Sequence, residues 1–124
     1  MGHGDDLVIA DANFPATALG ARCHRLDGLT ATEVLQAVLT VLPLDKFVQH
    51  PALVMQVVDD PEAVPSIVAE FQKIMTTTAD SPAKLDRLER FDFYDRAKTA
   101  FAIIQTGETR LYGNIILKKG VIGA

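Results

Sequence analysis

Residues 1–15, MGHGDDLVIADANFP, decide how this chain is read. They comprise a glycine-flanked histidine (Gly2-His3-Gly4), an apolar run from Leu7 to Ala10, and a polar turn, Asp11-Ala12-Asn13, closed by Phe14-Pro15. Four consecutive apolar residues between turn-forming clusters predict a strand buried on both faces, as in a covered parallel sheet. His3 and Asp11 then lie at opposite ends of that strand. Eight residues of extended chain span about 26 Å, so the two cannot meet within one straight strand. If both serve one site, the chain must fold back or a second subunit must complete it.

Outward from this strand, the rest of the chain alternates helix and strand signals. Residues 16–28 read as a loop or irregular strand holding the single cysteine, Cys23, and Asp27-Gly28 marks a turn. Thr30-Ala31-Thr32-Glu33 has capping-box spacing, in which hydroxyl and carboxylate each satisfy an orphan backbone N–H. Val34, Leu35, Val38, Leu39 and Leu42 follow on one helical face, and Pro43 ends the ladder. Leu53–Val58 predicts a second buried strand, with Asp59-Asp60-Pro61-Glu62 as its solvated exit. Pro65 suits the first turn of a helix whose Ile67, Val68, Phe71, Ile74 and Met75 share a face. Asp80-Ser81-Pro82 breaks the chain. Residues 84–90 read equally as a short strand, with Leu85 and Leu88 inward, or as a helix lead-in. A short helix follows over Asp92–Lys98, with Phe93, Ala97 and Phe101 four apart. Ala102–Gln105 predicts a third strand, Thr106-Gly107-Glu108 a turn, and Asn114–Leu117 the last strand. Strands alternating with helices predict an α/β fold, one domain over residues 1–124, with helices packed on a largely buried sheet.

Composition narrows the function. Of the 124 residues, 48% are hydrophobic and 23% charged, which is globular rather than disordered. The apolar share is high for so small a domain and points to subunit contacts. A net charge of -4, with no basic stripe interleaved with aromatics, argues against nucleic acid or an anionic membrane as partner. No apolar run reaches transmembrane length, and no charged-then-apolar leader opens the chain, so a cytoplasmic location is expected. One cysteine allows no internal disulfide.

Common signatures of chemistry are missing. Gly2-His3-Gly4 lacks the third glycine and the preceding strand of a dinucleotide fingerprint. His3, His24 and His50 are not at metal-ligand spacing, so no metal is expected. No serine sits in a nucleophile-elbow context. What remains is a polar set without a nucleophile: His3, Asp11, Arg90, Tyr112 and Asn114. Such a set suits proton shuttling and hydroxyl recognition better than covalent catalysis. Each member also has a bland reading. His3 near a chain end reads as a frayed tail, Asp11 as an Asx-turn residue, and Arg90 as a surface ion-pairing arginine. Tyr112-Gly113-Asn114 reads as a turn, Glu108 and Arg110 as solvated turn residues, and Lys118-Lys119 as edge-strand protection.

A resemblance changes these weights. The opening GHGD and the strand ending in Asp-Ala-Asn-Phe-Pro resemble the start of the ribose pyranase and fucose mutarotase family. More specific is the run Arg90-Phe91-Asp92-Phe93-Tyr94-Asp95-Arg96-Ala97-Lys98, followed by Ala100-Phe101-Ala102, Thr106-Gly107-Glu108 and residues 112–120 (YGNIILKKG). These elements resemble the fucose branch in particular, and Arg25-Leu26-Asp27-Gly28 fits the same pattern. The resemblance implies a three-layer α/β/α sandwich and mutarotation of a free monosaccharide, fucose, without a cofactor. It makes His3 the proton donor, with Asp11, Arg90, Tyr112, Gly113 and Asn114 binding the sugar between adjacent subunits of a ring-like homo-oligomer. A pyranase acting on ribose or another sugar, and a non-catalytic sugar-binding module, are the alternative readings. Two departures stand out. Family members carry a helical segment of about twenty residues before GHGD, five to six turns in length. Met1 falls at a position interior to that pattern, so the helix is expected to be missing or the numbering to begin at an internal methionine. Asn13 stands where some members have histidine.

Overall fold

The structure, a computed structural model, describes residues 1–123. Nine elements follow in order: strands β1 (Asp6–Ala10) and β2 (Cys23–Leu26), helix α1 (Ala31–Leu39), strand β3 (Ala52–Met55), helix α2 (Ser66–Thr78), strand β4 (Asp86–Leu88), helix α3 (Arg90–Lys98), and strands β5 (Ala102–Thr106) and β6 (Ile115–Lys118). The strands form one sheet in the order β2-β5-β1-β6-β3-β4.

β1 is the centre of this sheet. It pairs in parallel with β5 (Val8 opposite Ile103) and antiparallel with β6 (Val8 opposite Ile116). Val8, Ile9 and Ala10 have no exposed surface. Alternation sends Ile9 to one face, with Val54, Ile115 and Leu117, under Leu35 and Leu39 of α1 and Phe71 and Met75 of α2. Val8 and Ala10 go to the other face, with Leu53, Ile103 and Ile116, under Phe93 and Ala97 of α3. The apolar run is therefore a strand covered on both sides, in a three-layer α/β/α sandwich. At about 1.5–3 kcal/mol for each buried Val, Leu or Ile, a one-residue slip would exchange the two cores and is strongly disfavoured.

The sheet is mixed rather than parallel. Two parallel groups, β2-β5-β1 and β3-β4, are joined through β6, which runs antiparallel to both β1 and β3. Lys118 therefore does not protect an edge. It sits at the end of an interior strand, its Nζ 3.0 Å from Asp6 Oδ1 and donating to the Gly4 carbonyl at 2.9 Å. The edges are β2 and β4, and both are short.

Local signals act as expected at α1. Thr30 Oγ1 accepts from the Glu33 N–H, and Glu33 Oε1 accepts from the Thr30 N–H, which completes the capping box. The end of α1, at Leu39 rather than Pro43, and three other features differ from expectation. β3 ends at Met55, not Val58, because the chain turns through Asp59 at φ 65°. α3 begins at Arg90, not Asp92, because the Glu89 carboxylate caps it by accepting from the N–H groups of Phe91 and Asp92. Phe101 is 39% exposed, outside the α3 core, with the Arg22 guanidinium 4.7 Å from its ring centre. The ambiguous 84–90 stretch is both a strand and a helix start.

Gly107 ties β5 to the turn before α1. A β-carbon there would lie 2.0 Å from the Asp27 carbonyl oxygen, and its own N–H donates to the Leu29 carbonyl at 2.8 Å. Backbone must move to admit a side chain. Gly107→Ala is expected to lose about 1–3 kcal/mol in denaturant unfolding; unchanged stability would contradict this close approach.

Candidate functional site

Strand directions bring four separate segments to one end of the strands. β1, β3, β4 and β5 all run the same way, so Asp11, Gln56–Val58 and Arg90 follow the carboxyl ends of three of them. β6 runs oppositely, so Tyr112-Gly113-Asn114, which precede it, reach the same end. Ligands in open α/β sheets bind at this end. Here it holds a cavity of about 210 Å³ whose polar lining includes Asp11, Asn13, Arg90, Tyr112 and Asn114. Phe14, Met55, Val58, Tyr94 and Leu111 supply its apolar wall.

Asp11 and Asn114 form the floor. The Asp11 backbone N–H donates to Asn114 Oδ1 at 2.8 Å, and Asn114 Nδ2 donates to Asp11 Oδ2 at 3.2 Å. Asp11 Oδ1 accepts from the Asn13 N–H at 3.0 Å, so the Asx turn is present and serves the site as well. Burial pushes the Asp11 carboxyl above the usual carboxylate range, against the lowering effect of hydrogen bonds from the backbone at Asn13, Gly113 and Phe14 and from the Asn114 side chain. Thr106 and Gln105 brace the same turn: Thr106 Oγ1 donates to the Ala10 carbonyl, and Gln105 Nε2 to the Phe14 carbonyl, each at 2.8 Å.

Arg90 and Tyr112 form the sides. Arg90 opens α3, its guanidinium carbon 4.6 Å from the centre of the Phe91 ring. Its Nε is buried with no hydrogen-bond partner among the described residues. An orphaned buried donor is costly unless something in the cavity accepts from it. Tyr112 has φ 63°, unusual for a bulky residue. Its hydroxyl oxygen accepts from the Val58 N–H at 3.0 Å, which leaves the hydroxyl proton to donate. Gly113 is buried where a β-carbon would come within 2.9 Å of Ile67 Cδ1 and 3.0 Å of Glu108 Cγ. Close packing, rather than backbone freedom, calls for glycine here.

Glu108 is not a solvated turn residue. It is 3% exposed, its carboxylate accepts from Arg110 Nε and Nη2 at 3.2 Å each, and Arg110 also pairs with Glu70 of α2. The Glu108 carbonyl accepts from the Ala12 N–H at 2.8 Å. This cluster anchors the loop carrying Tyr112, Gly113 and Asn114 to α2 and to the Asp11 turn.

His3 lies elsewhere. It precedes β1, at the opposite end of the sheet from Asp11, where the Gly4 N–H donates to the Lys119 carbonyl beyond β6. Its Nε2 is 3.2 Å from Asp45 Oδ1, and its side chain is half-exposed. Within one chain the structure thus unites Asp11, Arg90, Tyr112, Gly113 and Asn114 and leaves His3 apart. The sequence reading missed Phe14, Tyr94, Met55 and Val58 as walls. Tyr94 alone had a signal, standing four residues after Arg90 on one helix face.

Comparison with known proteins shows the family to which this fold belongs. Residues 1–122 match the RbsD / FucU transport protein family. The chain belongs to this family. It is 48% identical to the fucose mutarotase of Homo sapiens, over 98% of this chain and 82% of that protein. Among solved structures, FucU from Bifidobacterium longum is 43% identical with a TM-score of 0.91, covering 98% of this chain and 87% of that one. The Streptococcus pneumoniae fucose mutarotase in complex with L-fucose is 41% identical with a TM-score of 0.90, covering 98% and 86%. These RbsD / FucU relatives share the α/β fold with its mixed sheet and flanking helices. No helix of the described residues is long and apolar enough to cross a membrane.

The Glu108 cluster has a pH signature. Burial raises its carboxyl, but hydrogen bonds and charge from Arg110 outweigh this and hold it below its ordinary 4.5. The unfolded chain therefore takes up this proton first as pH falls. The contribution of Glu108 to stability is full above about pH 4.5 and is lost as pH drops through the lower folded value. Asp45 adds the same sign: the Phe47 N–H, above all, holds it below 3.8. Asp11, raised, has the opposite sign. Glu108→Gln is expected to lose about 1–3 kcal/mol at neutral pH and to flatten the acid limb of stability against pH. An unaltered acid limb would contradict the pairing.

Proposed function

We propose that this chain is an L-fucose mutarotase, interconverting the α and β anomers of the free sugar by acid–base ring opening and closure. The observation that carries the reading is the convergence of Asp11, Arg90, Tyr112 and Asn114 from separate segments on one small cavity. Among the described residues its lining contains hydroxyl-recognising groups and apolar wall but no serine, cysteine or lysine. Kinship with proteins named as fucose mutarotases, one of them solved with L-fucose, supports the choice of sugar.

Ring opening requires the anomeric hydroxyl to lose its proton while the ring oxygen gains one. The C1–O5 bond then breaks and C1 becomes an aldehyde. Rotation about C1–C2 and reclosure on the other face reverse each step, so the protons balance and no cofactor is consumed. In this reading His3 is the proton-transfer group. Both oxygens are bonded to C1, so one imidazole can take the proton from the first and deliver it to the second. Imidazole suits this near neutrality. Arg90 donates from its orphaned Nε to a sugar hydroxyl. Asp11 and Asn114 bind further hydroxyls, Tyr112 walls the sugar and donates its phenolic proton, and Gly113 lets the Tyr112–Asn114 loop pack closely enough to present them.

Because His3 and the cavity occupy opposite ends of β1, the reading requires a homo-oligomer in which His3 of one protomer enters the cavity of its neighbour. Saturation-transfer NMR between α- and β-fucose tests it. The protein is expected to speed exchange, and His3→Ala to lower that effect by about 10² to 10⁴. Asn114→Ala, which also uncaps Asp11, is expected to weaken sugar binding. Exchange on ribose but not on fucose would overturn the choice of sugar. Fucose binding without faster exchange would overturn catalysis.

A further inference from the structure

Phe47 is 75% exposed, although the loop that carries it is firmly held. Leu44 bridges to Lys119, the Asp45 N–H donates to the Lys118 carbonyl at 3.0 Å, and the Phe47 N–H donates to Asp45 Oδ1 at 3.0 Å. A fixed backbone therefore presents this aromatic ring to solvent, which a monomer gains nothing by doing. The ring also meets the His3 imidazole edge-on, with 5.5 Å between ring centres, so the two are in contact. The far end of β1 carries a matching surface. Leu111 is 66% exposed, Val58 is exposed as well, and both stand in the apolar wall of the cavity. This rim is held too: the Val58 N–H donates to the Tyr112 hydroxyl at 3.0 Å, and Arg87 Nη1 donates to the Pro61 carbonyl at 2.7 Å. Charge differs between the two surfaces. Lys46, beside Phe47, is exposed, and so are Asp59, Asp60 and Glu62, which follow Val58.

We propose that Phe47 of one copy of this chain seats on the Val58–Leu111 rim of the next copy's cavity and sets how far His3 enters it. This rests on the reading in which His3 of one protomer serves its neighbour's cavity. An imidazole that reaches a sugar lying over Asp11 and Asn114 carries the touching Phe47 ring to the mouth of that cavity. The apolar surface exposed at the mouth is Val58 and Leu111, and covering it with the ring removes both from water. An aromatic anchor in an apolar seat, with a basic group on one side of the contact and acidic groups on the other, has the anatomy of a specific protein interface. Phe47 is thus a positioning residue. It touches the rim rather than the reacting atoms, and it stops the imidazole at a fixed depth. Lys46 is brought toward the acidic 59–62 turn, which makes the docking weaken as salt is raised.

The chain contains no tryptophan, so Phe47→Trp places a single indole at the contact. In the assembled protein its fluorescence is expected to be that of a shielded indole and to shift when L-fucose is added. Leu111→Lys on the same chain is expected to move the emission to the red. Leu111 is exposed within its own chain, so this change spares the fold, which thermal unfolding checks. A solvent-exposed indole in the assembled protein, or one that ignores Leu111→Lys, overturns the proposal. Phe47→Ala is expected to raise the concentration at which copies assemble about 10- to 100-fold. Once sedimentation shows assembly complete, its exchange at saturating fucose is expected to remain roughly 10- to 100-fold slower, because the imidazole is no longer held at depth. Full-rate exchange in the assembled Phe47→Ala protein overturns the positioning role. If His3→Ala abolishes exchange and the indole is exposed, this proposal alone fails. If the indole is shielded and responds to Leu111→Lys but His3→Ala leaves exchange intact, the contact stands and the reading of His3 fails.

Discussion

A short, straight, doubly covered strand sets the geometry of the whole molecule. β1 is paired on both sides and packed on both faces, so neither end can bend toward the other without breaking a ladder or opening a core. The segments flanking it are held at opposite ends of the strands. Gly2-His3-Gly4 is fixed at one end through Lys118, Lys119 and Asp45, and Asp11 at the other through Asn114. The chain therefore carries a cavity at one end of β1 and a seated histidine at the other. In the proposed reading these are halves of one site, and assembly brings them together. Such a contact is heterologous, cavity to histidine, and closes into a ring when the rotation permits.

At the Asp11 end, residues that build the fold also line the cavity. Asp11 terminates β1 with an Asx turn and shares two hydrogen bonds with Asn114, which begins the return into β6. Stability draws on the same buried carboxylate to which the proposed reading gives sugar recognition, and its raised pKa records what its burial costs. Glu108 and Arg110 stand behind the loop without lining the cavity. Their ion pair is buried on one side and links β5, the loop and α2, which makes loss of one partner costly. The Nε of Arg90 is a buried donor without a partner among the described residues, and the fold sets it among polar and apolar neighbours together.

Much of this was legible in the residues, and the illegible parts have physical causes. Leu7–Ala10, the Thr30–Glu33 box and the 67–75 stripe announced themselves because burial and capping leave periodic or fixed-offset signals. β2 and β4 did not, because they are edge strands of four and three residues with mostly exposed or half-exposed side chains. The antiparallel course of β6 depends on pairing between distant segments, to which no local pattern responds. α3 was read two residues short because Glu89, a poor cap by residue type, caps it. Val58 extended an apparent strand because a residue facing a cavity looks, in sequence, like one facing a core. Asp45 left no trace as a partner of His3, since an aspartate two residues before a loop phenylalanine reads only as a turn. Family likeness, by contrast, carried Asp11, Arg90, Tyr112, Gly113 and Asn114, residues that chemistry alone had left with bland alternatives, and four of these are polar residues that line one cavity.

Subunit complementation tests the divided site most directly. His3→Ala and Asn114→Ala protomers would each be assembled alone and then co-assembled at equal ratio, and fucose anomer exchange measured for all three. If each site joins His3 of one protomer to Asn114 of its neighbour, random mixing restores about a quarter of wild-type activity, because only interfaces with both intact halves work. Co-assemblies no more active than the parent variants would contradict a site shared between protomers.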